Sequence, residues 1–524
     1  MRRRCGRRPA TAAVVGVALA AALGACGGTG AGTTAHAGAP RAEAPQGGGG
    51  PGWLAPNADL SSTRWISGPI DSRSVGRLAL AWQVPLSGVA TPLVAGGVVY
   101  MQDNVATVYA IELASGKLIW KRSFSAAEGA VATGPNGVAL GGGRVYGTTT
   151  REVFALDPGT GRPLWRRRIT RGTDGIDMAP GYAGGTVYVS TNPGPSTYAG
   201  GAQGTLWALD GATGRPRWRW ATVPRDLWGH PEVNSGGGLW YTPSFDGSGG
   251  VYFGTGNPGP VPGARGYPWG ASRPGPNRWS DSVVKLDART GRLLWARQML
   301  AHDLYDWDLE APVILARAGG RPLAIAGGKM GFVYAFDAGS GRLVWQRSVG
   351  QHNGHDRDNL RALRGTDRST ALRKVLPGMF GGIVTPMAAD RDTVYAPVVN
   401  LWTLYGPEGE TAPQDFNAGT GEIVALDLAT GRVKWDRRLP HSPYGAATVV
   451  GDLVFTSTFD GTIWALRKDS GRVAWTARLP DATNGPLSVA GDTLFALPNT
   501  PAANGQPIAL FAYRLRGARR SGSR

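Results

Sequence analysis

The sequence predicts an all-β fold, an eight-bladed β-propeller of four-stranded blades, on three observations: a hairpin motif recurs along the chain, its spacing is that of propeller blades, and a half-motif near each end completes one further copy. The clearest copy is Ala155 to Trp165, Ala-Leu-Asp-Pro-Gly-Thr-Gly-Arg-Pro-Leu-Trp. An apolar strand ends in Ala-Leu-Asp, the turn closes on Gly161, and a second strand carries a Trp four residues later. The Asp accepts hydrogen bonds from the turn's N–H groups, the Gly takes the positive φ of a tight connection, and the indole offers a flat face to a neighbour. Further copies close on Trp120, Trp218, Trp295, Trp345, Trp435 and Trp475. Leu510 to Leu515 reads as the first half of an eighth unit and Leu78 to Trp82 as its Trp strand, so strands from both ends close the last blade and leave no free sheet edge.

Taken in order, residues 1–25 read as an export signal. Arg2, Arg3, Arg4, Arg7 and Arg8 precede an apolar run from Ala10 to Leu23, and Leu23-Gly-Ala-Cys26 resembles a lipobox with Cys26 as the lipidated residue, the alternatives being an ordinary secretory signal or a short membrane anchor. The expectation is a protein of the cell envelope, extracytoplasmic and held to the membrane only through that lipid, since no later segment approaches a membrane span of ~20 apolar residues. The other cysteine, Cys5, lies in the signal, so none is left for a disulfide, a thiolate metal site or a c-type haem. Residues 26–52, rich in Gly, Ala and Pro, read as a flexible tether, residues 53–516 as the propeller and residues 517–524 as a disordered basic tail, with fraying expected from Arg514 onward. The formal charge of +18 falls by five, to +13, without the five signal arginines, and the remainder is scattered over turns, which argues against nucleic acid as a partner. Two insertions, Gly256 to Asn277 and Gly350 to Leu376, read as loops.

The informative neighbourhood is Tyr252-Phe-Gly-Thr-Gly-Asn-Pro258, then Asn277-Arg-Trp-Ser-Asp281, then His302-Asp-Leu-Tyr-Asp-Trp-Asp-Leu309. With the Trp repeats and the opening from Trp53 to Trp82, these resemble the quinoprotein alcohol dehydrogenases, eight-bladed propellers that bind pyrroloquinoline quinone on the ring axis. The resemblance implies Asp306 as catalytic base; Trp240, Lys329 and Asn400 as cofactor contacts; and Asn257, Asp306 and Asp308 as ligands of Ca²⁺ or a lanthanide, Asp308 being the acid of lanthanide-using members. Each role suits its residue: a flat quinone wants an aromatic floor, its oxygens a cation or amide, a hard metal oxygen ligands, and a substrate hydroxyl a carboxylate to take its proton. His302 has no partner at zinc-ligand spacing.

The chain departs from the family in several places. No Asp or Glu occurs from Met178 to Leu209, where the family has a metal-binding Glu. Asn136 stands for an Arg that pairs with a cofactor carboxylate, Ile383-Val384 for an Asn-Trp pair, and neither the adjacent cysteine pair nor a Cys-x-x-Cys-His haem site is present. Two readings stay open: a quinone-dependent dehydrogenase oxidising an alcohol or sugar-type hydroxyl with an external electron acceptor, or a non-catalytic propeller acting as an envelope scaffold.

Overall fold

The structure, a computed structural model, describes residues 52–124, 135–172, 174–193, 200–410, 415–498 and 508–517. Residues 1–41 and 42–524 separate as two units, and every described residue lies in the second. Cys26, the export signal, nearly all of the tether and residues 518–524 lie outside the described residues.

Eight blade sheets follow one another along the chain, seven of four antiparallel strands and one in which the short strand Trp65–Ile66 adds a fifth, parallel to Thr448–Val450, and the expected propeller is the result. We number blades 1 to 8 by their inner strands, which begin at Leu93, Ala139, Gly181, Ser244, Ile314, Ala388, Thr448 and Ser488. Blade 8 takes its outer strand, Leu78–Pro85, from far upstream, paired antiparallel with Ala509–Leu515. Arg514 is therefore a ladder residue opposite Ala79 and Thr493, and not part of a frayed tail as expected. The insertion after Gly350 also departs from a plain loop. It holds a short helix, Asp358–Ala362, and the strand Arg373–Val375, which pairs with Thr403–Gly406.

The motif's Gly and Trp act between blades. A Cβ on the turn Gly161 of blade 2 would lie 2.5 Å from the ring of Trp120 of blade 1, and the same closeness joins Gly291 to Trp218 at 2.7 Å and Gly341 to Trp295 at 2.6 Å. The indole N–H donates to a carbonyl of the same turn, from Trp120 to Pro158 at 2.9 Å and from Trp218 to Ala288 at 2.9 Å. Trp82 of blade 8 docks in this way on Gly116 of blade 1, which closes the ring. Trp295→Ala removes a side chain that is 6% exposed and should lower stability by about 3–5 kcal/mol in urea unfolding. A loss below about 1 kcal/mol would contradict docking as a main source of inter-blade cohesion.

Because the strands alternate, the turn-glycine hairpins share one face of the ring. The connections from second to third strand, and from each outer strand to the next inner strand, share the other. The N-terminal segment runs along the inner strands: Leu60, Ser61, Thr63 and Arg64 carbonyls accept the N–H groups of Phe245, Leu315, Ala389 and Val449 at 2.7 to 2.9 Å, in blades 4 to 7. Ala58, Ser62 and Arg64 adopt positive φ of 73°, 55° and 49° to make this arc, held by the Asp59 carboxylate on the N–H groups of Ser61 and Thr63. The buried Arg64 guanidinium donates to the Ala447 and Leu487 carbonyls at 2.7 and 2.6 Å.

Candidate functional site on the ring axis

A small cavity of about 20 Å³ lies among residues of six blades' inner connections, among them Asn136, Tyr241 and Pro386, and so marks the axis. Beside it, three connections of the same face meet. The segment His302 to Leu309 joins blades 4 and 5, Thr255 to Pro258 links the second and third strands of blade 4, and Lys329 follows the second strand of blade 5.

The first segment is shaped by Asp303, whose carboxylate accepts the N–H groups of Tyr305 and Trp307 at 2.8 and 2.7 Å. This curl puts Asp306 in the left-handed region at φ 60°. The inserted sheet braces it from outside: Trp307 donates to the Pro377 carbonyl at 3.0 Å and Tyr405 to the Tyr305 carbonyl at 2.7 Å. Asp303, Asp306 and Asp308 are buried, at 0%, 8% and 1% exposed.

Lys329 Nζ lies 2.8 Å from Asp306 and 2.5 Å from Asp308. The other Asp308 oxygen accepts the Asn257 N–H at 2.6 Å. Gly256 allows that approach, since a Cβ there would stand 2.7 Å from the Asp308 oxygen. Asn257, Asp306, Asp308 and Lys329 thus form one buried cluster. Burial raises the Asp306 carboxyl to about 8; Lys329 opposes the rise and Asp308 adds to it. Burial would lower the Lys329 ammonium, but Asp306, Asp308 and Glu310 overturn this and hold it well above its ordinary range.

Trp240 stands next in sequence to Tyr241, whose hydroxyl donates to the Val384 carbonyl at 3.0 Å and whose charged neighbours are Glu310, Lys329 and Arg64. The Trp240 indole N–H is buried without an acceptor. Asn400 is placed differently: its amide oxygen accepts the Gln351 N–H at 2.9 Å, beside Gly350. Asn136, buried on the axial cavity, donates to the Asp103 carbonyl at 2.9 Å.

Two acids escaped the sequence reading. Glu310 continues the spacing of two set by Asp306 and Asp308, a signal that was available, and burial followed by Asp308 raises it well above the usual carboxylate range. Asp281 is 0% exposed at φ 47°, and neither carboxylate oxygen accepts a hydrogen bond of ordinary geometry. Burial, then Asp303 and Asp308, raise it likewise. Nothing in Trp-Ser-Asp-Ser marks such a residue as buried.

Lys329 supplies a buried cation and Trp240 an indole N–H without an acceptor, and in donor chemistry these residues suit the oxygens of a quinone. For a metal the arrangement differs. Both carboxylates are tied to Lys329, and among the described residues no three His, Cys, Asp or Glu side chains converge to hold an ion. A hard cation would enter only by displacing the ammonium.

Residues 168–353 match the family described as glucose/ethanol/alcohol dehydrogenase, beta-propeller domain, and residues 329–522 the family described as outer membrane protein assembly factor BamB. The quinohemoprotein alcohol dehydrogenase of Comamonas testosteroni is 28% identical over 490 residues, covering 79% of this chain and 67% of that protein. A polyvinylalcohol dehydrogenase of Sphingopyxis is 26% identical over 446 residues, covering 75% of this chain and 61% of its own length. The solved structure of the Comamonas protein superposes with a TM-score of 0.76 at 23% identity, covering 90% of this chain and 82% of that one, a likeness of fold.

Proposed function

We propose that this chain, a quinoprotein alcohol dehydrogenase-like propeller, is an oxidoreductase that removes hydride from an alcohol or sugar-type hydroxyl and passes the electrons to an external acceptor. The observation that carries the reading is the buried pairing of Asp306 with Lys329 on the ring axis, a proton acceptor and a cation held together away from water. Lys329 and Trp240 would hold pyrroloquinoline quinone, which when bound supplies a two-electron hydride acceptor. Asp306, in its ionised form, takes the proton of the substrate hydroxyl as the C–H hydrogen leaves. Lys329 steadies that carboxylate against burial, and Asp308, bonded to the Asn257 N–H, fixes the ammonium between the two acids. Asn257, Asp306 and Asp308 are the donors a Ca²⁺ or lanthanide ion would use, in place of the ammonium that now lies between the two carboxylates.

The assay is reduction of an artificial dye by the full chain mixed with pyrroloquinoline quinone and a primary alcohol. Turnover that requires both supports the proposal; quinone-independent reduction, or none with any alcohol or sugar tried, removes it. The second reading, a scaffold without catalysis, is favoured by the match of residues 329–522 to the assembly-factor family, and it predicts a chain inert in this assay.

The same proposal places the protein outside the cytoplasm on a lipid at Cys26. Cys26→Ser should move it from the membrane to the soluble fraction or block its processing. Normal processing with unchanged membrane association would end the lipid-anchor reading.

A further inference from the structure

One blade upstream of the axial cluster, on the same face, a cleft of about 550 Å³ opens between blades 2 and 3. Its walls come from the connection that follows the outer strand Pro163–Arg168, which brings Arg171 and Asp174, and from blade 3, which brings Gln203, Trp207, Arg219 and Arg225. Its volume is in the range that holds a small-molecule ligand of one or two rings.

The charges lining this cleft are unbalanced. Three arginines and one carboxylate, Asp174, line it; Arg171 acts on Asp174 electrostatically, and among the described residues none of Arg171, Arg219 and Arg225 forms an ion pair within 4 Å. Neighbouring arginines behave otherwise: Arg217, two positions from Arg219 on the same strand, pairs with Asp210 at 2.7 Å, and Arg166 pairs with Glu152. Trp207, opposite Arg219 in the ladder, lies under the Arg219 guanidinium at 5.4 Å, and its indole N–H is buried without an acceptor. Gln203 fixes the wall by donating to the Val223 and Pro224 carbonyls at 3.0 and 2.7 Å. Unpaired planar forks favour carboxylate or phosphate, a partly open indole offers an apolar face to a ring, and its N–H wants an oxygen acceptor.

We propose that this cleft is a binding site for an anionic sugar, a ring carrying a carboxylate or a phosphate, with Arg171 and Arg219 on the anion and Trp207 against the ring. The site is separate from the axial cluster in its residues and does not depend on the redox reading.

The test is calorimetric titration of the full chain, without quinone, using glucuronate, glucose 6-phosphate, neutral glucose and inorganic phosphate. At least one of the two anionic sugars should bind, about tenfold or more tighter than glucose or phosphate, and more weakly as salt rises. Arg219→Gln and Arg171→Gln should each weaken that binding about tenfold or more, with Arg219→Lys intermediate because it keeps the charge and loses the fork. Both arginines are exposed, so melting temperatures of the variants should match the parent and separate lost binding from lost folding. Trp207→Phe, which keeps the face and removes the N–H, should weaken binding less than the arginine changes. The relative affinity of uronate and sugar phosphate identifies the anion the site was built for. Absence of binding by both anionic sugars at about 10 mM, equal binding of glucose, phosphate alone binding as tightly, or indifference to both Gln variants would each overturn the proposal.

Discussion

Asp306→Asn should abolish dye reduction, by about 10²–10⁴-fold, while quinone affinity changes little. The amide keeps the shape at φ 60° and a contact to Lys329, but it no longer accepts a proton. The same residue sets the pH dependence. A carboxyl raised to about 8 is mostly protonated at neutral pH, so wild-type turnover should climb as pH rises through about 8 and flatten above it. A rate independent of pH from 6 to 9, or an Asp306→Asn variant with near-normal turnover, would place the base elsewhere.

Lys329→Met should be the most damaging single change to the fold of this face. It leaves Asp306, Asp308 and Glu310 buried without their shared cation, and breaking such a pairing costs about 3–5 kcal/mol. The loss should depend on pH. A buried carboxyl whose folded value exceeds its unfolded one takes up a proton on folding. Its contribution is complete below the unfolded value and is lost as pH rises to the folded one, for Asp306 in the parent from 3.8 to about 8. Without the lysine, which holds both down, Asp306 and Glu310 should be still harder to ionise, so Lys329→Met should be close to the parent near pH 4 and fall furthest behind it near pH 8. Urea unfolding at the two values measures this, and a pH-independent loss would mean that packing of the lysine stem, and not charge, is what the variant removes.

The hairpins were legible because each carries its own local signals: an Asp on the turn, a Gly at positive φ, and a Trp at fixed distance. What those signals join was not. The indole of Trp120 sits on Gly161 of the next copy and not on Gly116 of its own, and identical motifs do not say which Gly a Trp meets. The arc from Ala58 to Arg64 had no local signal either, since three non-glycine residues at positive φ are held by inner strands hundreds of residues away. In the site, Asp306, Asp308, Asn257 and Lys329 came from a resemblance of short motifs, and the structure brings those four together. Asn400 rests instead on Gln351, because the insertion after Gly350 folds back against it, a long-range effect that its strand Tyr-Ala-Pro-Val-Val-Asn does not encode. Asp281 was hidden for the opposite reason: polar neighbours in sequence look like solvent exposure, and burial comes from the segments folded over it.

The proposed function requires that this ring bind a quinone through Lys329 and Trp240. Titration of the full chain with pyrroloquinoline quinone, followed by tryptophan fluorescence and by the cofactor's own absorbance, tests it without requiring turnover. Saturable binding at one quinone per chain is expected, weakened about tenfold or more in Trp240→Leu, which removes the indole ring and its unpartnered N–H, and left nearly intact in Asp306→Asn. Absence of saturable binding in the parent chain, or binding indifferent to Trp240→Leu, would contradict it.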